Sequence, residues 1–196
     1  MKALWASALL SITLAACGPL LPRSPTPELH DLGSQRAARP LARVPVLTDV
    51  RAPNWLDGTA IHYRLAYESE TRRRSYALSR WAAPPAELLS VALRRMLDSP
   101  GAPSTCRLVV ELDEFIQVFE QPQESAALIS GVATLVGANG RTIVDRIRFS
   151  LTEKATGADA PSGVAALSRC VDALGVRIAD WLDRAEAEGL SRRCES

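Results

Sequence analysis

The residue whose type and position most clearly serve chemistry is Cys17, which follows a run of apolar and small residues at the start of the chain. Leu14, Ala15 and Ala16 precede it directly. Small residues at these positions let the backbone enter the narrow groove of a peptidase, and the cysteine thiol supplies a nucleophile for attachment of a diacylglyceryl group. The alternative is a plain secretory leader that a cysteine follows by chance.

Residues 1–16 have the layout of a secretory leader. Lys2 supplies one positive charge, and the fourteen residues 3–16 are apolar or small. At about 1.5 Å per residue they are too short to span a hydrocarbon core of about 30 Å, which favours a cleaved leader over a membrane span. With Cys17 the segment resembles the bacterial lipobox, which implies cleavage after residue 16 and acylation of Cys17. Gly18 stands where an aspartate would retain a Gram-negative lipoprotein, which implies transfer to the periplasmic face of the outer membrane.

Three further cysteines could form a disulfide, because the periplasm is oxidising. Cys170 lies on the apolar stripe of a predicted helix, and we expect it to be buried as a small hydrophobic residue. Cys106 opens a predicted strand and Cys194 lies in a polar tail. We predict a disulfide between Cys106 and Cys194, with one thiol left over. The alternative is that all three cysteines stay reduced.

The remaining reactive side chains do not form a recognisable catalytic motif. The two histidines, His30 and His62, offer little basis for a histidine metal site or a catalytic triad, and we expect His62 to be solvated. Neither a P-loop nor a Gly-x-Ser-x-Gly elbow occurs. Glu111, Asp113 and Glu114 could imitate an acid pair, although solvent-facing strand charges explain them as well. We therefore expect no enzymatic activity, no metal and no cofactor other than covalent lipid.

The charge balance gives no sign of a polyanionic partner. Lys and Arg number 23 and Asp and Glu 22, and removal of residues 1–16 takes away only Lys2. A near-neutral domain lacks the basic surface that nucleic acids require, so we expect no nucleic-acid binding. We interpret the short cluster Arg72–Arg74 as the solvated tip of a hairpin, with a contact to lipid phosphates or nucleic acid as the alternative.

Proline marks the segment that follows the leader. Residues 17–40 contain five prolines and few large apolar residues, and proline fixes φ and removes a hydrogen-bond donor. We predict an extended tether over residues 17–40, a folded domain over residues 41–190 and a polar tail over residues 191–196. Residues 30–33 are a candidate for the first ordered segment.

Hydrophobic periodicity predicts the first half of the domain. Residues 44–50 are β-branched and predict a strand, and alternating residues from 61 onward predict a hairpin with a charged tip at residues 68–74. Pro84 and Pro85 begin a helix, because proline is tolerated in the first turn, and the helix ends before residues 99–101.

The second half contains three strands and a long helix. We predict strands at residues 107–119, 126–136 and 143–151, with a bulge in the first, and a helix over residues 162–187. Gly175 in the helix interior indicates a close approach to the sheet. The predicted fold class is α+β: a mixed, largely antiparallel sheet in the order β, β-hairpin, α, three-stranded meander, α, with two helices packed on one face.

Four blocks of sequence stand out, at residues 52–58, 61–67, 76–85 and 112–119. The third contains the long and unusual run Ser-Arg-Trp-Ala-Ala-Pro-Pro. Together these blocks resemble the ABC-type transport auxiliary lipoprotein family, the PqiC/YmbA-like proteins, over about residues 28–185.

This resemblance implies a membrane-anchored docking subunit for an ABC transporter with an MCE-type periplasmic component, a permease and an ATPase, which together move envelope lipids. Trp55 and Trp81 are candidates for the docking surface, because aromatic residues anchor interfaces, although both rings could equally cap the core. A homo-oligomer is compatible with such a role. The alternative function is a lipid or lipopolysaccharide carrier, which requires a sizeable apolar cavity between sheet and helices.

Overall fold

The computed structural model describes residues 25–35, 40–98 and 100–195. The predicted leader, Cys17 and the first part of the predicted tether lie outside these residues. Within them, no helix is both long and apolar enough to cross a membrane.

Seven strands of the described chain form one mixed sheet, and two helices pack against it. The strands are β1 (Glu28–His30), β2 (Arg43–Arg51), β3 (Ala60–Leu65), β4 (Arg73–Trp81), β5 (Ala102–Gln121), β6 (Glu124–Val136) and β7 (Ile143–Lys154). The helices are α1 (Pro85–Leu97) and α2 (Ala160–Ala187), with short 3-10 helices at Asn54–Leu56 and Leu190–Glu195. The predicted α+β class, the mixed sheet and the order of elements from β2 onward are confirmed.

β5 is the strand around which the sheet is built. Its first half pairs in parallel with β2, its second half pairs in parallel with β3, and its other edge pairs antiparallel with β6 along nearly its whole length. The sheet order is β1-β4-β3-β5-β6-β7, with β2 beside β5. The predicted bulge is confirmed as a register shift between Leu112 and Glu114.

Burial alternates along the central strands, so the sheet has two different faces. In β6 every second residue from Ser125 to Leu135 is buried, and the residues between them are half-buried. The buried set of β6 faces α2, while α1 packs against β2 and against α2, which places the main core between the sheet and the helices. We call this side the covered face and the opposite side the open face.

The two helices also contact each other at Gly175. A Cβ atom built on Gly175 would collide with the side chain of Met96 in α1. The expectation of a close approach to the sheet was therefore wrong: the glycine admits the neighbouring helix. Periodicity indicated that this position is buried, but it could not tell which element packs there.

A buried polar network ties the covered face to the start of α2. The Tyr76 hydroxyl donates to Gln117 Oε1 over 3.0 Å, and Gln117 Nε2 donates to Ser125 Oγ over 2.8 Å. Gln117 is fully buried, so these bonds satisfy an amide that would otherwise be costly to bury. Burial also raises the pKa of the Tyr76 hydroxyl far above its usual value, which keeps it protonated as the donor. Gly163 of α2 lies directly on the Gln117 amide.

The fold begins earlier than the predicted boundary at residue 41. β1 pairs in parallel with β4 at the edge of the sheet, and Leu32 and Leu41 are both buried. Ser168 Oγ in α2 donates to Leu32 O over 2.7 Å. The prediction of a tether over residues 17–40 was therefore too long. Strand pairing at a sheet edge is a contact between distant residues, and local proline content does not predict it.

The C-terminal segment packs against the sheet instead of forming a free polar tail at residues 191–196. Cys194 is buried in the second 3-10 helix and is joined by a disulfide to Cys106 of β5, with the two Cα atoms 5.0 Å apart. Cys170 is a free, buried thiol whose pKa is raised to about 12, chiefly by burial. The polarity of residues 191–196 had predicted a free tail. The disulfide holds this segment against the sheet, and Ala138 N also donates to Cys194 O over 2.9 Å.

We expect Cys194→Ser to lower the free energy of unfolding by about 2–5 kcal/mol, because the disulfide closes a loop of 88 residues in the unfolded chain. Urea unfolding with and without dithiothreitol measures this. The reductant should destabilise the wild type and Cys170→Ala equally, and should leave Cys194→Ser unchanged. A wild type that is indifferent to the reductant would contradict the prediction.

We expect Gly163→Ala to destabilise the fold by about 1–3 kcal/mol, although alanine has the better helix propensity by about 1 kcal/mol. The added methyl group would displace the Gln117 amide and break its buried hydrogen bonds. Thermal unfolding measures the effect. Gly58→Ala, where the added Cβ meets open space, is the matched control. A more stable Gly163→Ala variant would show that the amide adjusts freely.

Candidate docking surface

The open face carries the most distinctive surface pattern of the described chain. Its central strip is the outward row of β6, which is small or apolar and uncharged between Ala126 and Val136. No described element covers this strip. The rows on either side, from β5 and β7, carry charged residues.

The outward row of β7 is basic, whereas the outward row of β5 carries both signs of charge. Outward positions of β7 hold Arg146, Arg148 and Lys154, all exposed. The exposed acidic residues of β5 are Glu111, Asp113 and Glu120, and exposed Arg107 lies two positions before Val109 in the same row as Glu111. Charged residues therefore flank a neutral strip that is only one strand wide.

Glu114 differs from its acidic neighbours because it is already paired. Its carboxylate accepts from Arg64 Nη2 over 2.9 Å and from Arg73 Nη2 over 2.6 Å, and all three side chains are largely shielded from solvent. Arg74 likewise donates to Glu68 over 2.6 Å. The expectation of a freely solvated cluster at Arg72–Arg74 is therefore wrong for two of its three members, because partners distant in sequence hold them.

Trp55 lies in the first 3-10 helix, where it borders the open face. Its side chain is 56% exposed. The Trp55 pocket, of about 400 Å³, is formed with Arg51, Glu111, Asp113 and Val132 among its lining residues. The pocket already holds a cation, because Arg51 lines it and its pKa is raised by Asp49 and by the charge of Glu111.

His62 positions the Trp55 loop from the neighbouring strand. Its Nε2 donates to Trp55 O over 3.0 Å. The side chain is half-buried, and burial together with the charge of Arg73 lowers its pKa. The prediction of a solvated histidine was wrong, since the 3-10 helix folds back over the strand. Because burial and Arg73 favour the neutral ring, protonation of His62 at acidic pH destabilises the fold here, although the bond to Trp55 O itself favours the protonated ring.

Trp81 cannot serve as a docking residue. It is 1% exposed, and its ring packs edge-on against Phe115 with the centroids 5.5 Å apart. Of the two candidate tryptophans, only Trp55 lies on the surface. The alternation of residues in β4 could not predict that Trp81 is buried. A register irregularity between β3 and β4 changes which side chains face the core.

The free edge of β7 is capped by arginine side chains. Arg169 and Arg177 of α2 donate to Lys154 O and Arg148 O over 2.6 Å and 3.2 Å, and Arg193 donates to Val144 O over 3.4 Å. Unpaired carbonyl groups on an edge strand invite pairing with another strand. Their occupation here disfavours docking through this edge and leaves the open face as the better surface.

Between the sheet and the end of α2, the described residues leave little space for a small molecule. The pocket between the sheet and the end of α2, lined by Cys106, Leu135 and Leu182 among others, holds only about 20 Å³. The larger pockets lie on the open surface, including one of about 440 Å³ beside Arg64 and Leu128. Within residues 25–35, 40–98 and 100–195, His, Cys, Asp and Glu form no cluster that could hold a metal ion.

Sequence reasoning missed that Glu111, Val132 and Arg148 lie in one row across the open face. The signal was present in β7, where Arg146 and Arg148 are two residues apart and therefore share a face. Recognising the pattern also required the register that sets Arg148 beside Val132 and Val132 beside Glu111, which the local sequence does not contain.

Comparison with known proteins agrees with the fold and identifies the family. The structure resembles a Xanthomonas campestris protein assigned to the DUF330 family, with 16% identity and a TM-score of 0.70, covering 83% of this chain and 98% of that one. It also resembles a protein described only as uncharacterized, with 19% identity and a TM-score of 0.63, covering 80% and 99%. No curated protein matches the chain in sequence.

The family model for the ABC-type transport auxiliary lipoprotein component matches residues 29–179, from the second residue of β1 to the third quarter of α2. This span contains the sheet, α1 and the Trp55 loop, and it confirms the resemblance seen in the four sequence blocks. The chain belongs to the ABC-type transport auxiliary lipoprotein family.

Proposed function

We propose that this protein is a non-enzymatic docking subunit of an MCE-type ABC transport system for envelope lipids, anchored by lipid at Cys17 to the periplasmic face of the outer membrane of a Gram-negative bacterium. The observation that carries the proposal is the family match over residues 29–179, joined to a lipobox that ends at Cys17. The periplasmic MCE subunit, the permease and the ATPase would be separate chains.

The position of the anchor limits where the domain can work. Ten residues separate Cys17 from Glu28, the first residue of β1. Even fully extended, this connection spans roughly 40 Å. Two or three acyl chains hold a protein stably at a membrane, whereas a single chain binds only marginally. The domain would therefore stay near the membrane, within reach of a partner that crosses the periplasm.

The packing of the covered face supports docking over lipid carriage. A carrier needs an apolar cavity large enough for an acyl chain, and the pocket at the end of α2 is about 20 Å³. The open face, in contrast, presents an uncharged strip flanked by charged residues and an exposed tryptophan, which are features of a protein-binding surface.

We expect Cys17→Ser to remove the protein from the outer-membrane fraction, because residue 17 would then carry no thiol for acylation. Membrane fractionation with intact-mass measurement tests this, and Cys170→Ala serves as the control that should fractionate like the wild type. A soluble wild-type protein with an unmodified residue 17 would contradict the proposal.

We expect the full-length lipoprotein to co-purify with an MCE-type subunit after mild crosslinking in cells, since a docking subunit must touch its transporter. Mass spectrometry of the crosslinked material identifies the partner, and a different outer-membrane lipoprotein processed in parallel is the control. Absence of MCE, permease and ATPase subunits from the captured material would contradict the transporter role.

A further inference from the structure

The disulfide joins two cysteines that have a third cysteine between them in the sequence. Cys106 and Cys194 are 88 positions apart, and Cys170 lies 64 positions after the first and 24 positions before the second. The native pairing therefore skips the nearest partner of each cysteine. Cys170 remains a free, buried thiol in the folded chain.

In the folded structure, Cys170 is out of reach of both bonded cysteines. Its thiol donates to Ala127 O over 3.9 Å and to Leu151 O over 3.7 Å. Cys106, in contrast, lines a small pocket with Leu135, which lies eight positions after Ala127 on β6. Eight residues of a strand span roughly 25 Å, whereas the Cα atoms of a disulfide lie within about 7 Å of each other. A bond from Cys170 to either bonded cysteine is therefore incompatible with this fold.

The unfolded chain favours those same incompatible bonds. The entropic cost of closing a loop rises with the logarithm of its length, so short loops close more often than long ones. A bond between Cys170 and Cys194 closes the shortest of the three loops, and it forms about seven times as often as the native bond. Together, the two bonds to Cys170 account for roughly nine in ten of the disulfides that form first in an unfolded chain.

Disulfide exchange converts either wrong bond into the native one with no net gain or loss of electrons. In a chain with a Cys170–Cys194 bond, the thiolate of Cys106 attacks Cys194 Sγ. The Cys106–Cys194 bond forms, the Cys170–Cys194 bond breaks, and Cys170 leaves as a thiolate that takes up a proton from water. In a chain with a Cys106–Cys170 bond, Cys194 attacks Cys106 and Cys170 leaves again. Only the first disulfide needs an oxidant, such as oxidised glutathione, which accepts the two electrons and two protons.

Docking of α2 makes this exchange one-way. Cys170 is fully buried in the folded chain, and burial raises its pKa to about 12. Attack on a disulfide requires a thiolate, and even an ordinary thiol with a pKa of about 8.5 is only a few per cent ionised at neutral pH. Burial therefore removes Cys170 as a nucleophile. The native bond is buried as well, which protects it from the reverse reaction.

We propose that this chain acquires its Cys106–Cys194 disulfide mainly by exchange from bonds to Cys170, and that it is therefore a substrate of a dithiol disulfide isomerase. Such an isomerase attacks the wrong bond with its own thiolate and forms a mixed disulfide with the chain. It is released when a thiolate of the chain completes the native bond. Its action in the cell rests on the export proposed above, whereas the exchange itself is a property of the chain.

The test is oxidative refolding of the full-length, acylated protein in detergent, in which the Cys17 sulfur is a thioether and takes no part. The protein is reduced in guanidinium chloride, diluted into a glutathione redox buffer and sampled with iodoacetamide, and its disulfides are mapped by mass spectrometry. Bonds to Cys170 should dominate the early samples, and the native bond should dominate the late ones. A catalytic amount of a purified dithiol isomerase should accelerate this conversion at least about tenfold.

Cys170→Ala is the matched control, because the only disulfide left to its domain is the native one. It should form that bond without mispaired species, and the isomerase should accelerate it less than about twofold. Cys170→Ser, whose hydroxyl can donate to the same two carbonyl groups, repeats the control with a polar side chain. The disulfide map of the wild type decides the question even if neither variant refolds.

A wild type that forms the Cys106–Cys194 bond first, at the rate of the control, would overturn the proposal. So would a wild type whose early bonds to Cys170 are not converted faster by the isomerase. The intact mass of the starting protein reports acylation at Cys17 independently. A failure of the anchor proposed above is therefore distinguishable from a failure of this proposal.

Discussion

The structure depends on the pairing of β5 with three other strands. β5 is twenty residues long, and it pairs with β2 and β3 on one edge and with β6 on the other. Because side chains alternate along a strand, this one strand contributes Leu108, Val110 and Phe115 to the core and the acidic row to the open face. The register irregularity between Leu112 and Glu114 keeps the apolar residues inward on both sides of the bulge.

Helices cover one face of this sheet, and the two faces therefore carry different kinds of residue. The covered face holds the apolar core, the Gln117 network and the contact of α2 with α1. The disulfide from Cys106 to Cys194 fixes the end of the chain beside β5 as well. The open face carries no such cover, and its residues are instead small and neutral in the centre and charged at the margins.

The sequence predicts those parts of the fold that local patterns determine. Period-two alternation identified β3 and β5, and the proline pair and the leucine stripe bounded α1 within a residue or two. The predictions that failed concern contacts between residues that are far apart in sequence. β1 is only three residues long and exists through its pairing with β4, and the burial of Trp81 depends on a register irregularity. The ion pair between Arg73 and Glu114 joins residues that are 41 positions apart in the sequence. Of the candidate docking surface, the sequence alone indicated Trp55 but not the pocket beside it.

If the protein acts by docking, the open face, with Trp55 at its margin, is covered by protein in the assembled, membrane-anchored state. Hydroxyl-radical footprinting of the full-length protein in its native membrane, compared with the purified protein at high dilution, tests this directly. We predict that oxidation of Trp55 falls several-fold in the membrane sample while Val176, exposed on α2, is oxidised equally in both. Equal oxidation of Trp55 in the two samples would contradict the account.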